Sequence, residues 1–378
     1  MWRSRTSQVT SCTSCVAGLG SAVVVASCLA GASVVHGQTP DRLRTQADRL
    51  ERTRAAEQRA LFGADAPLPV TLIADFKAVN RDRNPESTRT FPATLIVAGR
   101  NGGDDRLDVR IRTRGHVRRL NVTFGFAPLR IELNGSAAGT DFEGHKSLKL
   151  GTHFREDDSY EQYVYREYLA YKIFNRVTPR SFRARLARAT YVDAATSKPF
   201  TTRAGLFLED DDDVAKRLDG SMVGGQGSTF AMVDREAMSL VAIFAYMIGN
   251  TDMSLLRLHY IVLARASTGV TYPMPYDFDY SGLVNARYAV PARALGLSGV
   301  RERAYRGPCL SAEEFAPVLA RLGAVRGEVL ALFDGVPTLD QGYRRDAKRY
   351  LDQFFRLIER PGEVKRAFIE GCGKRITM

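Results

Sequence analysis

Apolar and polar positions change their spacing along the chain near residue 210. Between residues 65 and 209, short apolar segments are bounded by Gly, Asn and Asp, which is typical of β-strands joined by turns. In Leu107–Arg114 apolar and basic residues alternate, so we expect one buried and one basic strand face. Beyond residue 230 the apolar residues recur at helical spacing, most clearly in Asp234–Ile248. The pattern predicts a β-rich half followed by a mainly helical half.

The predicted elements follow from these two periods. The strands are expected at Val70–Phe76, Pro92–Ala98, Leu107–Arg114, Pro128–Leu133, Ser147–Leu150, Ala189–Asp193 and Ala204–Glu209. Helices are expected at Tyr160–Phe174, Asp234–Ile248, Gly327–Phe333, Leu339–Ile358 and Pro361–Glu370. The segments His259–Leu263 and Thr271–Met274 predict a short hairpin. Ser311 and Glu314 form a capping-box pattern that predicts the start of one more helix.

These elements divide the chain into five parts. We expect a signal peptide at residues 1–37, a leader helix or linker at 38–64, a β-rich lobe at 65–209, an inter-lobe linker at 210–229, and a helical lobe at 230–378. The linker prediction rests on a run of four aspartates and a Gly-rich stretch. The leader carries many charges and only a weak apolar stripe, so we expect little packing from it.

The N-terminal residues predict export. Arg3 and Arg5 precede the apolar segment Val16–Ala26, which is too short to span a bilayer comfortably. Cleavage after Gly37 fits small residues before the cleavage point, whereas lipid attachment at Cys28 fits the lipobox-like residues before that cysteine. We therefore predict a periplasmic or secreted protein, with a lipid anchor at Cys28 as the alternative.

The net charge of +12 favours anionic partners such as phosphate compounds or an acidic envelope surface. We expect no nucleic-acid partner, because no aromatic–basic motif of a known binding module is present. No segment beyond the signal region reaches 18 apolar residues, so we expect no transmembrane span. Outside the signal region only Cys309 and Cys372 remain, and in an exported chain they form either one disulfide or two buried thiols.

Three acids stand at the ends of apolar segments. Asp252 follows the predicted helix that ends near Gly249, and Asp277 and Asp279 follow the predicted hairpin. In an extended segment Asp277 and Asp279 would point the same way. An unpaired buried charge costs several kcal/mol, so such acids favour a functional site, and converging carboxylates are typical ligands of a hard divalent ion. The alternatives are a turn-forming Asp252 and an acidic pair that pins a loop.

A basic and an acidic residue of the β-rich half are further candidates. Lys149 lies in the predicted strand Ser147–Leu150, and Glu167 lies in the predicted helix that follows. A strand lysine paired with a helix glutamate is one way to hold nucleotide phosphates. The alternatives are a solvated pair of side chains, or Lys146 in place of Lys149. Arg112, Arg114 and the Arg118–Arg119 pair also allow contact with phosphate or a substrate anion, although the pattern favours a solvated strand face.

At these residues the chain resembles the CotH kinase-like family, which is named after a spore coat protein. The resemblance covers about residues 68–300 and depends on the order of several short motifs. These are Arg112–Gly115, Phe126–Arg130, Leu148–Leu150, Glu167–Tyr171, Gly205–Glu209, Gly249–Asp252 and Pro275–Asp279.

The resemblance implies an α+β, bilobal, atypical protein-kinase-like fold with a β-rich N-lobe and a mainly helical C-lobe. It also implies ATP, Mg²⁺ or Mn²⁺, and phosphoryl transfer to a protein. Asp252 would then be the catalytic acid and Asp277 a metal ligand, with Asp279 beside it. In the nucleotide site, Lys149 would contact the phosphates with Glu167 as its orienting partner, and Glu209 would lie near the inter-lobe hinge.

One departure from the family pattern affects activity. Tyr260 follows His259 where related sequences commonly have Asn, and tyrosine is a poor ligand for a hard cation. The sequence therefore predicts an exported phosphotransferase acting on an envelope or secreted protein. The alternatives are a catalytically inactive pseudokinase that binds or assembles an envelope partner, and a metal-dependent hydrolase that uses the same acids.

Overall fold

The computed structural model describes residues 45–115, 125–135, 137–224, 227–291, 293–370 and 372. The described residues belong to one compact unit. The predicted signal peptide, the candidate anchor Cys28 and residues 38–44 of the predicted leader lie outside them. In the part of the chain that is described, no helix is both long and apolar enough to cross a membrane.

Seven strands form a closed barrel in the order β1-β2-β3-β4-β5-β7-β6. They are β1 (Leu68–Ala74), β2 (Phe91–Ala98), β3 (Asp104–Thr113), β4 (Leu129–Leu133), β5 (Ser147–Gly151), β6 (Ala184–Asp193) and β7 (Pro199–Leu208). Neighbours pair antiparallel except for β1 and β6, which run parallel, with Leu72 opposite Tyr191. This parallel pair closes the barrel.

The closed barrel shows that the predicted bilobal kinase-like fold is wrong. That fold requires an N-lobe built on a β-sheet, whereas here all seven strands of the β-rich half close on themselves. The alternation of apolar and polar residues predicts which strand face is buried, but it does not identify the partner of each strand. The pairing of β1 with β6 joins segments more than 100 residues apart, so no local pattern indicated it.

The barrel is filled by side chains that alternate along its strands. In β1, Val70, Leu72 and Ala74 are buried and their neighbours are more exposed. Tyr191 of β6 and Phe207 of β7 are fully buried among the same core residues. Each large apolar side chain removed from water contributes about 1.5–3 kcal/mol, so the interior stabilises the barrel as a packed core.

The predicted leader helix exists as α1 (Gln46–Glu57), which opens on a capping box formed by Thr45 and Asp48. Ala56 is its only buried residue among those described. Arg183 binds the helix end through its carbonyls, donating to Ala56 O at 2.7 Å and to Glu57 O at 2.8 Å. Hydrogen bonds from Arg183 to backbone carbonyls therefore hold the end of α1, whose apolar packing is weak.

A long helix, α3 (Asp158–Val177), follows the short helix α2 (Phe76–Arg81) and most of the barrel strands. Twelve of its side chains are buried, so most of the helix surface packs against other parts of the protein. Its residues pack against β6 and β7 of the barrel and against α5 (Arg235–Ile248). The helix thus connects the barrel with the helical half of the chain.

Residues 210–229, predicted as a linker, contain α4 (Asp211–Arg217) and β8 (Gly220–Val223). Strand β8 joins β9 (Ile261–Ala266) and β10 (Thr271–Pro275) in a second, three-stranded sheet. Strands β9 and β10 are the hairpin that the sequence predicts, shifted slightly toward the C-terminus. The small sheet positions the acidic segments described below.

The remaining helices complete the helical half. They are α6 (Ala312–Ala324), α7 (Arg326–Ala331), α8 (Gln341–Ile358) and α9 (Pro361–Val364), which continues into a π-helical turn at Lys365–Ile369. The capping box predicted at Ser311 and Glu314 is confirmed as the start of α6. A disulfide joins Cys309 to Cys372, whose Cα atoms are 5.6 Å apart. Of the two alternatives for these cysteines, one disulfide or two buried thiols, the structure has the disulfide.

Candidate functional site

The segment carrying Asp252 is positioned by the end of α5. Gly249 ends the helix with a left-handed φ of 70°, a conformation that glycine adopts without strain. Its carbonyl accepts a 3.1 Å hydrogen bond from the backbone N–H of Gly282, and the N–H of Leu283 donates to Ile248 O at 2.8 Å. Gly282 follows Asp279 by three residues, so these bonds bring the two predicted acidic segments together.

The hairpin β9–β10 positions the second acidic segment. Its pairing is extended by a 3.2 Å hydrogen bond from the N–H of Tyr276 to the carbonyl of Tyr260. Both Tyr260 (φ 57°) and Asp277 (φ 60°) have left-handed backbone conformations, which are uncommon for residues other than glycine. Such strained residues concentrate at functional sites, where the surrounding structure holds them in place.

Tyr260 lies at the meeting point of the three predicted acids. Its side chain is buried, and burial raises the pKa of its phenol well above the ordinary range. The negative charges of Asp277, Asp279 and Asp252 raise the pKa further, in that order. Tyr260 therefore lies within electrostatic reach of Asp252, Asp277 and Asp279, and its phenol keeps its proton.

Asp277 and Asp279 flank an aromatic anchor. Phe278 packs its ring against Tyr171 and Phe244, with centroids 4.6 and 5.5 Å away. Asp279 is 2 % exposed. The left-handed Asp277 means that the segment is not extended, so strand alternation does not explain the shared location of the two acids. The buried Phe278 ring holds the segment in place.

Tyr171 of α3 supports Asp277 from the core. Its phenol oxygen accepts a 2.8 Å hydrogen bond from the backbone N–H of Asp277. Burial raises the pKa of Tyr171 well above the ordinary range, and the charges of Glu167 and Asp277 act in the same direction. Glu167 lies one helical turn before Tyr171 and acts electrostatically on its phenol.

Lys149 lies on the barrel side of this segment. Its ammonium forms an ion pair with Asp211, the first residue of α4, and lies 4.7 Å from the ring centroid of Phe182. The ring centroid of Tyr276, the residue before Asp277, is 5.9 Å away. Burial lowers the pKa of Lys149, and the charge of Asp211 opposes that effect. The sequence predicts Glu167 as the partner, whereas the ion pair in the structure is with Asp211.

Arg114, at the end of β3, brings a second positive charge to the same place. Its charge adds to the lowering of the pKa of Lys149 and opposes the rise in the pKa values of Tyr171 and Tyr276. It is half-buried, and its backbone N–H donates to Pro128 O at 2.8 Å. The cations Lys149 and Arg114 therefore belong to the barrel, and the carboxylates belong to the segments around the small sheet.

The other arginines of the β3 face are engaged elsewhere. Arg110 donates to Thr90 at 2.7 Å, and Arg112 pairs with Glu132 at 3.2 Å. These contacts agree with the other interpretation of the sequence, in which the arginines belong to a solvated strand face. Arg118 and Arg119 lie outside the described residues.

Glu209 is placed next to Lys149 but has protein partners of its own. It follows Leu208, the register partner of Lys149, and is completely buried. Arg183 and Arg217 donate to its carboxylate, with closest distances of 2.7 and 2.8 Å. Glu209 thereby joins the start of β6 to the end of α4.

His259 borders the site on the solvent side. Its Nδ1 is 3.1 Å from the backbone carbonyl of Asp252 and 3.9 Å from Oδ2 of the same residue. Its ring lies 3.9 Å from the Tyr260 ring, centroid to centroid. These contacts stabilise the position of Asp252 relative to the hairpin.

A metal at these carboxylates would need ligands in addition to those that the described residues supply. Across the described ranges, no group of three or more His, Cys, Asp or Glu side chains could hold a metal ion unaided. Mg²⁺ in phosphate-processing sites commonly takes only one or two carboxylates and completes its shell with water and phosphate oxygens. Asp277 and Asp279 fit that second kind of site.

Sequence reasoning identifies the acids but not their surroundings. Tyr171 and Asp211 are the two contributors that it misses. Tyr171 is one of five tyrosines in Asp158–Val177, and that unusual density was the available signal. Asp211 lies in an aspartate run that reads as a flexible linker, although Asp210 caps α4 and Asp213 is buried within it.

Comparison with known proteins adds no family to this geometry. The sequence matches no protein-family model, and no curated protein matches it.

Proposed function

We propose that the protein is an exported phosphotransferase that uses ATP and Mg²⁺ or Mn²⁺ to modify an envelope or secreted protein. The observation that carries the proposal is that backbone hydrogen bonds join the segments of Asp252 and Asp279, and that Asp252, Asp277 and Asp279 all act electrostatically on Tyr260, with the barrel cations Lys149 and Arg114 on the other side. Cations on one side and carboxylates on the other suit a metal-bound polyphosphate. The proposal rests on this site and does not need a kinase fold.

The barrel cations supply the phosphate contacts in this proposal. Lys149 is buried and pairs with Asp211, so phosphate oxygens could take the place of that carboxylate. Arg114 adds a second positive charge near Tyr276. Buried or half-buried cations bind phosphate more strongly than solvated ones because water screens them less.

The carboxylates would hold the metal ion and accept the proton of the acceptor. Asp277, fixed by Tyr171 and Phe278, and the buried Asp279 would hold the divalent ion, which neutralises charge on the phosphate oxygens when it is bound. Asp252 is more exposed and borders an open face, so it can accept the proton of an acceptor hydroxyl. Tyr171 helps to keep Asp277 in its strained conformation.

Tyr260 favours the second candidate function, a catalytically inactive protein that binds or assembles an envelope partner. The protonated phenol lies among the three acids, where a second metal ion would need an oxygen ligand. A single-metal enzyme and an inactive binding protein are both consistent with this residue. They differ in whether bound nucleotide is consumed.

Two matched variants test the proposal. Asp277→Asn should abolish the thermal stabilisation by ATP with Mg²⁺ or Mn²⁺, because the amide keeps the shape but loses the charge. Asp252→Asn should retain that stabilisation and lose labelled-phosphate transfer. The control is Asp104→Asn, which removes an exposed carboxylate from the barrel. Undiminished Mg-ATP binding by Asp277→Asn would contradict the metal assignment. Full transfer by Asp252→Asn would exclude Asp252 as the residue that accepts the proton of the acceptor hydroxyl.

A substrate test separates the rivals. Phosphoester turnover without nucleotide would favour a metal-dependent hydrolase that uses the same acids. Nucleotide binding without any transfer, under either metal, would favour the inactive binding protein. Absence of nucleotide binding to the parent chain with both metals would refute the proposal.

A further inference from the structure

A cavity of about 370 Å³ is lined by residues that adjoin or interact with Asp252. Met253 and Arg306 line it: Met253 follows Asp252 in the chain, and Arg306 interacts electrostatically with Asp252. Its volume lies at the small end of the range for ligand pockets. The cavity is therefore part of the surroundings of the proposed catalytic acid, and the phosphotransfer chemistry described above does not use it.

The interior of the cavity is mainly apolar. Met238, Met253 and Leu255 form its buried lining, and Phe230 lines one side. The loop that carries Leu255 is held in shape by paired backbone hydrogen bonds between Ser254 and His259, at 2.9 and 3.0 Å. A rigid apolar lining of this kind suits a bulky apolar side chain.

The apolar surface continues beyond the cavity. Leu256, at its edge, is 60 % exposed, and Met232, in the short helical turn that begins with Phe230, is 61 % exposed. They are two of the six large exposed apolar residues in the part of the chain that is described. An apolar rim outside a pocket fits a chain that enters and leaves it, because a small enclosed ligand would leave the rim in water.

Two arginines give the same cavity a positive charge. The guanidinium of Arg306 donates to Thr251 O at 2.5 Å, while its Nε is buried without a hydrogen-bond partner. The side chain of Arg257 is exposed and lines the cavity, and none of the described carboxylates forms an ion pair with it. A carboxylate on the occupant would complement both cations.

We propose that this cavity is the acceptor subsite and that it binds a peptide in which a bulky apolar residue adjoins an acidic one. The apolar side chain enters between Met238 and Leu255, and the acidic side chain meets Arg257 at the mouth. The acceptor hydroxyl then lies next to Asp252. That the bound peptide accepts a phosphoryl group rests on the function proposed above, whereas peptide binding itself requires no nucleotide.

Fluorescence anisotropy with four labelled nonapeptides tests the proposal. Each peptide carries one serine, and they differ only in having Leu or Ala at one position and Asp or Lys at the next. The full chain without nucleotide should bind the Leu–Asp peptide at least about tenfold more tightly than the Ala–Lys peptide, about 1.4 kcal/mol. Equal affinity for all four would overturn the proposal.

Charge reversal makes the test specific. Arg257→Glu should invert the preference from Asp to Lys while keeping the preference for Leu, and Leu256→Ser should weaken binding of both Leu peptides. The matched control Arg106→Glu makes the same charge change on an exposed barrel residue and should behave as the parent. If Arg257→Glu and Arg106→Glu behave alike, the assignment of the cavity mouth is wrong.

Two further measurements distinguish this proposal from the one it rests on. If the parent binds the Leu–Asp peptide but no nucleotide, the cavity is a peptide site and the phosphotransferase proposal fails. If Mg-ATP binds and none of the peptides does, the cavity proposal fails alone. A dimer in sedimentation that Leu256→Ser dissociates, with no peptide binding, would make a second copy of the chain the occupant and would also overturn it.

Discussion

The phenol oxygen of Tyr171 lies 2.8 Å from the backbone nitrogen of Asp277 and accepts its hydrogen bond. This contact joins a buried helix to a residue with φ of 60°, just before the buried ring of Phe278. The hydrogen bond satisfies a backbone donor that the hairpin pairing leaves behind. It also fixes the direction in which the Asp277 side chain leaves the backbone.

We expect Tyr171→Phe to lower stability and to weaken nucleotide binding together. The substitution keeps the ring contact with Phe278 and leaves the N–H of Asp277 without its acceptor, which costs about 1–3 kcal/mol. Urea denaturation and a Mg-ATP thermal-shift titration measure the two effects. The control Tyr168→Phe removes another hydroxyl of the same helix, whose contact with Asp65 is 3.5 Å long, and should change both less. Equal effects of the two variants would exclude a special role for Tyr171.

Replacing Tyr260 should raise activity. In Tyr260→Asn an amide oxygen takes the place of a protonated phenol among Asp252, Asp277 and Asp279, and a second ion can then bind. Labelled-phosphate transfer should increase about tenfold or more, which is about 1.4 kcal/mol per tenfold. Tyr260→Phe removes the hydroxyl without adding a ligand, so it should show no such gain. A gain in both variants would mean that relief of crowding, and not metal binding, is responsible.

Glu209→Gln should act mainly on folding. The substitution leaves Arg183 and Arg217 facing a neutral amide in a buried position, and breaking a buried ion pair costs about 3–5 kcal/mol. The midpoint of chemical denaturation should fall accordingly. Nucleotide affinity, measured at a temperature where the variant is still folded, should change by less than about threefold. A large loss of affinity with unchanged stability would instead place Glu209 in direct contact with the nucleotide.

The stability of the protein should depend on Asp213 below about pH 4. Burial raises the pKa of Asp213, but hydrogen bonds from His145 at 2.9 Å and Lys216 at 2.6 Å outweigh burial and hold the pKa well below its usual range. A carboxyl with a lowered pKa stabilises the folded state at pH values above its unfolded pKa of about 3.9. That contribution is lost as the pH falls toward the folded pKa.

Urea denaturation between pH 6 and pH 2.5 measures this dependence. Asp213→Asn should be less stable than the parent at pH 6, and the difference should shrink as the pH falls. Asp212→Asn, which changes the exposed neighbour, should follow the parent. A constant difference between Asp213→Asn and the parent over the whole range would contradict the assignment.

The elements were predictable where a local pattern determines them. Asp234–Ile248 has helical spacing and an end at Gly249, and the structure has α5 at Arg235–Ile248. The acids at 252, 277 and 279 could be singled out as candidates because unpaired charges next to apolar segments are costly. These inferences depend on neighbours in the sequence and on burial alone.

The remaining features depend on contacts between distant residues. The partner of Lys149 is Asp211, 62 residues away, and the aspartate run around it has the composition of a loop. Arg130 and Ser147 bind Asp210 at 2.5 and 2.8 Å, which turns that run into a fixed helix start. Nothing in the local composition distinguishes such a paired acidic run from a solvated one.

The closure of the barrel has a consequence for how the chain folds. Strand β1 can pair with β2 as soon as both have been synthesised, but its other edge waits for β6, more than 100 residues later. Until then Leu68–Ala74 presents an open edge that invites pairing with other chains. Pairing over such a separation is slow because closing the intervening segment into a loop costs conformational entropy before the strands can pair. Barrel closure is therefore the step at which this chain is most exposed to aggregation, and the step at which a chaperone would help it most.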